Sequence, residues 1–235
     1  MIYYSHGDKG GVGKSMTSAV LLDYLLSKGG KPMLIEGDEG QPDIALRYAD
    51  HVQVQCVNLN RAGDAEAAIM AFTDALEELG DGDIVVNLPA AAGDTLEQLA
   101  EVLVGAAGEL GHESRVFYTM GHTPTASKNA VKSFESGLVH NVGMAHVCIV
   151  YPAFLGKVEN FDWIKSGLRD KYAAREIVMP AISPEELAQV VLAAPGTFAA
   201  LADRTTSPLK MSERLIFQSR FYRPAMAAIS IFDEE

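Results

Sequence analysis

Lys9-Gly10-Gly11-Val12-Gly13-Lys14-Ser15 places glycines, two lysines and a hydroxyl within one short run. This composition suits the binding of an anion. Glycines let successive backbone N–H groups turn inward around one point. A helix starting just after them aims its positive end at that same point. In such a loop the backbone of Gly10, Gly11, Val12 and Gly13 cradles phosphate oxygens, and Lys14 reaches the β- and γ-phosphates. The Ser15 hydroxyl ligates Mg²⁺, and Met16 continues the helix beside it. The flanks agree with this reading: the apolar start Met1-Ile2-Tyr3-Tyr4 predicts a strand, and Lys14–Ser27 predicts a helix. Strand, glycine loop and helix is the context the chemistry requires.

The elements that would hold this loop alternate along the whole chain. Strand-like runs are Ile2–Ser5, Pro32–Glu36, Val52–Leu59, Asp83–Leu88, Arg115–Met120, Ala145–Tyr151 and Glu176–Pro180. Most are continuously apolar, as strands covered on both faces are. Between them lie helical patterns at Lys14–Ser27, Ala65–Leu79, Thr95–Gly105, Thr125–Leu138, Glu159–Tyr172, Pro184–Leu192 and Ser212–Ile229. The alternation predicts an α/β fold, a doubly wound and mostly parallel sheet with helices on both faces. The 235 residues suit one domain, 1–235, with a basic helical segment at about 204–229. Pro195–Pro208 is the least regular stretch and is expected to form a loop over the nucleotide.

Composition excludes several function classes. The net charge is −12, which opposes broad affinity for nucleic acid, where phosphates must be neutralised. Arg204, Lys210, Arg214, Arg220 and Arg223, set against Glu213, form the one basic stretch that could meet DNA or another acidic partner. Cys56 and Cys148 both fall in strand-like runs and read as buried thiols of a reducing compartment. No apolar run reaches the ~18 residues that span a bilayer. With no secretory start, the expected location is cytoplasmic. Pro224 and the closing Asp233-Glu234-Glu235 argue against membrane attachment by the C-terminal stretch. The histidines are too scattered for a metal cluster. Ser5 and Ser127 lack a nucleophile elbow, and Trp163 reads as core.

The loop departs from the general phosphate-binding pattern in one respect: Asp8 stands where a glycine is usual, and Lys9 follows it. A lysine there, followed by GG-x-GK, resembles the deviant Walker A motif of the ParA/MinD group of P-loop ATPases. The resemblance implies a P-loop ATPase fold, ATP and Mg²⁺ as ligands, and a homodimer in the ATP state. Lys9 would cross that dimer to touch the partner's phosphates. In the group, D-x-D follows the second strand; here Glu36 takes the first place and Asp38 the second, so the resemblance gives Asp38 the attacking water. Asn87 stands where the Walker B aspartate is usual. Its amide oxygen can accept a hydrogen bond but carries no charge, which implies slow hydrolysis. By itself this change suggests that Asn87→Asp preserves or raises the rate. The resemblance also places the base near Tyr151 and near Pro180 and Ala181. The chain has no N-K-x-D run, and ATP is the expected nucleotide. Met16 and the basic C-terminal segment resemble the TraL/MobD branch of plasmid mobilisation and conjugal transfer proteins. That implies a switch that binds a protein partner in DNA transfer or segregation. Two alternatives are a hydrolysis-deficient nucleotide-binding scaffold and a dethiobiotin-synthase-like ATP-dependent ligase.

Overall fold

The apolar runs pair side by side in one sheet whose strand order is β3-β2-β4-β1-β5-β6-β7, every pairing parallel. The computed structural model describes residues 1–7, 10–38, 40, 42–59, 65–89 and 93–233. Its strands are β1 (Ile2–Gly7), β2 (Met33–Glu36), β3 (Gln53–Cys56), β4 (Ile84–Asn87), β5 (Ser114–Thr119), β6 (Val147–Pro152) and β7 (Arg175–Met179). The helices are α1 (Lys14–Ser27), α2 (Asp43–Tyr48), α3 (Ala65–Leu79), α4 (Gly93–Glu109), α5 (Pro124–Ser136) and α6 (Leu138–Val142). They continue with α7 (Asp162–Lys165), α8 (Leu168–Tyr172), α9 (Glu185–Ala193), α10 (Phe198–Ala202), α11 (Met211–Phe217) and α12 (Arg223–Ile229).

Strand periodicity divides the core in two. Successive side chains of a strand point to opposite faces. Ile2, Tyr4, Val86, Val116 and Tyr118 therefore pack on one face with α3 to α6 and Trp163. Leu34, Val85, Phe117, Cys148 and Val150 pack on the other with α1, α2 and the helices from α9 onward. With both faces covered, the interior strands carry apolar residues on both faces over most of their length, which explains why they stood out in the sequence.

The departures from expectation have local causes. The pattern read as one helix over Glu159–Tyr172 is split by Gly167, whose φ of 74° is left-handed. The pattern over Thr125–Leu138 breaks at Gly137, where a Cβ would lie 1.7 Å from Glu97 Oε2. That carboxylate oxygen accepts from Leu138 N–H at 2.7 Å. Glu97 Oε1 sits 2.9 Å from His6 Nε2, so α4 is tied to β1 just before the phosphate loop. The C-terminal pattern is one helical column, but with a π-helical turn over Gln218–Tyr222 between α11 and α12. Pro195–Pro208 contains α10, capped by Thr197 Oγ1, which accepts from Ala200 N–H at 3.0 Å. It packs on α1, where Ala199 N–H donates to Asp23 Oδ2 at 2.9 Å. The expected loop over the nucleotide is therefore corrected to a helix held against α1. Cys148 is buried, as read, but Cys56 is exposed: β3 is an edge strand, and its position leaves the thiol uncovered.

Candidate functional site

β1 is the strand flanked by β4 on one side and β5 on the other. The connection from β1 runs through α1 to β2 on one side, and that from β4 runs through α4 to β5 on the other, which makes the carboxyl end here the crevice where open α/β sheets bind ligands. The phosphate loop occupies that crevice. Gly7 ends β1; a Cβ there would meet Thr119 O at 2.6 Å, so glycine lets the loop leave close beside β5. Gly13 caps α1 with a φ of 104°, a conformation that side chains disfavour. α1 is anchored from beneath. Ser5 Oγ donates to Lys14 O at 2.8 Å, and Thr17 Oγ1 donates to Gly13 O at 3.2 Å.

A cavity of about 710 Å³ opens above this loop. At one end it is lined by Gly10, Gly11, Gly13, Lys14 and Ser15, with Asp38 and Asn87 facing the same space. Lys14 is almost fully buried, so its side chain is held within the fold where it borders the cavity. The cavity continues along the ends of β6 and β7 to α9, past Phe154, whose ring lies beside Gly13, to Pro180, Ala181, Ile182 and Leu192. Phe221 enters it from the π-helical turn.

The first switch position and the Walker B position are joined. β2 and β4 pair with Glu36 beside Asn87. Asn87 Nδ2 donates to Glu36 Oε1 at 2.8 Å, and Asn87 Oδ1 accepts from Ser18 Oγ at 2.9 Å. Glu36 Oε1 also accepts from Asp38 N–H at 3.3 Å. Asp38 Oδ1 accepts from Gly40 N–H at 3.1 Å, which shapes the loop above. Glu36 is fully buried, and that burial pushes its carboxyl up to about 7, against the pull of its hydrogen bonds from Asn87 and Asp38.

Of the residues the sequence singled out, Gly10, Gly11, Gly13, Lys14, Ser15, Met16, Asp38, Asn87, Pro180 and Ala181 all border this one cavity. Val12 is buried, its side chain packing toward Gly7 and Gly121. Lys9 and Asp8 lie outside the described residues. Tyr151 is a correction. It is buried in the face opposite the cavity helices, edge-on to Phe161. Its hydroxyl donates to Glu176 Oε1 at 2.9 Å. The next residue of the strand, Pro152, borders the cavity instead, as the alternation of strand side chains requires. The sequence reading missed Ser18, Phe154, Ile182, Leu192 and Phe221. Ser18 could have been found as a polar residue one turn along α1 from Lys14.

The residues present fit Mg²⁺. The ion is normally held by one or two protein oxygens together with substrate phosphates, and Ser15, Asp38 and Asp43 border the same space. Among the described residues, no group of three or more His, Cys, Asp or Glu is placed to hold a metal by itself. Among those residues, no helix is long and apolar enough to cross a membrane.

No protein-family model matches the chain. In sequence it is 31% identical over 109 residues to Protein MobD of Acidithiobacillus ferrooxidans, a match that covers 46% of this chain and 46% of that one. The matched segment thus spans about half of that relative. In structure the chain is similar to the MinD cell division protein of Aquifex aeolicus, with TM-score 0.58, 14% identity, and coverage of 100% of this chain and 97% of that one. The MinC:MinD cell division protein complex of Aquifex aeolicus gives TM-score 0.57 at 13% identity, covering 100% and 96%. The chain has the α/β P-loop fold seen in MinD, with a stretch of sequence similar to MobD.

Proposed function

We propose that the chain is a ParA-like, ATP-binding switch of a single domain, 1–235, working in the cytoplasm. The observation that carries this reading is the cavity that gathers Gly13, Lys14, Ser15, Asp38 and Asn87 around the positive end of α1. The loop backbone and Lys14 bind the phosphates of ATP. Ser15 is the protein ligand of Mg²⁺, which supplies charge neutralisation at the β- and γ-phosphates. Asp38 orients the attacking water, and Lys9 reaches across a homodimer that ATP stabilises. The similarity to MobD supports a partner in plasmid mobilisation, conjugal transfer or segregation. The exposed Arg204, Lys210, Arg220 and Arg223 are the surface offered to DNA or another acidic partner.

One observation favours the scaffold alternative, in which nucleotide is bound and hardly hydrolysed. Both polar atoms of the Asn87 amide are already engaged, by Ser18 and by Glu36. Its oxygen already accepts from Ser18 on α1, so it can serve a metal-bound water only with its remaining lone pair and without charge.

Titration calorimetry with Mg·ATP tests the proposal. Losing one charge-assisted contact to phosphate costs ~1.5–3 kcal/mol. Lys14→Ala should therefore bind roughly tenfold more weakly or worse. Equal affinity of variant and wild type removes the assignment.

A further inference from the structure

We infer that copies of this chain associate head to tail, the helical column from α11 to α12 of one copy lying on the α3–α4 face of the next. Two exposed surfaces carry the argument, and they complement each other. On the column, Met211, Leu215 and Ile216 are exposed along one side, Arg220 and Arg223 continue that side, and Lys210 precedes it. On α3, Glu66, Met70, Asp74 and Glu77 are exposed at helical spacing and form one stripe. α4 packs against α3 and exposes Glu101, Val102 and Glu109. Residues 62–114 hold twelve acidic side chains and no lysine or arginine, so no cation on these helices neutralises the stripe.

Each surface thus has apolar side chains among charged ones, the anatomy of a protein interface, and the charges are of opposite sign. DNA would suit the arginines but would set Met211, Leu215 and Ile216 against phosphate. The whole chain carries −12, yet repulsion between whole molecules acts over distances that ~0.1 M salt screens, beyond about 10 Å. The patch charges meet within that length. The dimensions agree: α3 and α4 have 15 and 17 residues, about 22 and 25 Å, and the stretch 211–223 is about 20 Å long. A contact of that size belongs to the small, weak class. α3 and α4 cover one face of the sheet and the column covers the other. A pair of copies that makes the contact once therefore leaves one patch of each uncovered, and association continues as an open row. No described residue of α3, α4 or α11 borders the nucleotide cavity, so the contact needs no nucleotide and is tested apart from the proposed function.

The test is sedimentation velocity of the full chain without nucleotide. In ~0.1 M salt the sedimentation coefficient should climb with protein concentration past that of a dimer. In ~1 M salt, where charges are screened beyond about 3 Å, association should weaken roughly tenfold or more. Arg220→Glu with Arg223→Glu, and separately Glu77→Lys with Glu101→Lys, should each stay monomeric over the same range. Mixed together, the two proteins should form a one-to-one complex and nothing larger, because each keeps the patch the other has lost. Gly105→Arg sets a cation on the acidic face where a Cβ meets nothing within 4 Å. It should also weaken association, and it decides the matter if a charge reversal fails to fold. A chain that stays monomeric, a closed dimer, folded variants that do not pair when mixed, or a Gly105→Arg protein that associates as wild type does each overturn the inference. So does a chain that remains monomeric while its column binds duplex DNA, which assigns the arginines to nucleic acid.

Discussion

Asn87 donates its amide N–H to the carboxylate of Glu36 across the β2–β4 pair, at 2.8 Å. The two residues carry one carboxylate and one amide between them, with the charge on β2 and the neutral group on β4. Putting an aspartate at 87 alone does not restore the usual arrangement, because it sets two carboxylates at hydrogen-bond distance in a buried place. Asn87→Asp should therefore lose about 2–3 kcal/mol of stability at pH 8 and gain no hydrolysis. Asn87→Asp combined with Glu36→Gln returns a donor to the pair and should recover stability and raise the rate. Urea unfolding and steady-state phosphate release measure both. A single variant as stable as wild type at pH 8 contradicts the coupling. The expectation from sequence alone, that the single change helps, did not include the partner across the strand.

Two buried carboxyls set a pH dependence of stability. Burial pushes Asp23 up to about 7 from an ordinary value of 3.8, and Glu36 up to about 7 from 4.5. Between about pH 4 and pH 7 the folded chain keeps protons that the unfolded chain has released. Stability therefore falls as pH rises through that window. Urea midpoints should be lower at pH 7.5 than at pH 5. Asp23→Asn, which still accepts from Ala199, should flatten part of that slope. Identical slopes for wild type and variant would show that Asp23 is not responsible.

In the proposed function Lys9 makes a contact across a dimer. Light scattering should show a shift toward dimer with a non-hydrolysable ATP analogue and Mg²⁺. Lys9→Ala should shift much less while keeping its affinity for nucleotide. The same oligomer with analogue, with ADP and without nucleotide removes the proposal.

Asp38 borders the phosphate end of the cavity and shapes its own loop through Gly40 N–H. Turnover should be well below the ~1–10³ s⁻¹ of ordinary enzymes. Asp38→Ala should abolish what remains, with ATP binding largely intact. A variant that hydrolyses at the wild-type rate shows that another group holds the water.

How much of this was legible in the sequence follows from what each residue depends on. Ala65–Leu79 was readable to the residue because helical periodicity is local, and Lys14–Ser27 because the glycine loop before it and Gly29-Gly30 after it mark its ends. Most strands were readable because a parallel sheet covered on both faces makes them apolar over consecutive positions. Cys56 was misread because nothing local says which strand lies at an edge. Tyr151 and Pro152 are neighbours that face opposite ways, so a shift of one residue moved the expected contact from core to cavity. Phe154, Ile182 and Phe221 meet only because of the strand order and the π-helical turn. No short-range pattern joins them.

The position of β1 in the middle of the sheet also orders events in time. Its pairing partners are residues 84–87 and 114–119, and the cavity above it takes its last wall from Phe221. At about 5–20 residues per second on the ribosome, the phosphate loop is made about 10–40 s before that wall exists. Throughout that interval the glycine loop is synthesised but roofless. A nascent chain stalled before residue 221 should then carry the whole motif and hold nucleotide weakly, so possession of a nucleotide becomes a mark that synthesis has passed residue 221.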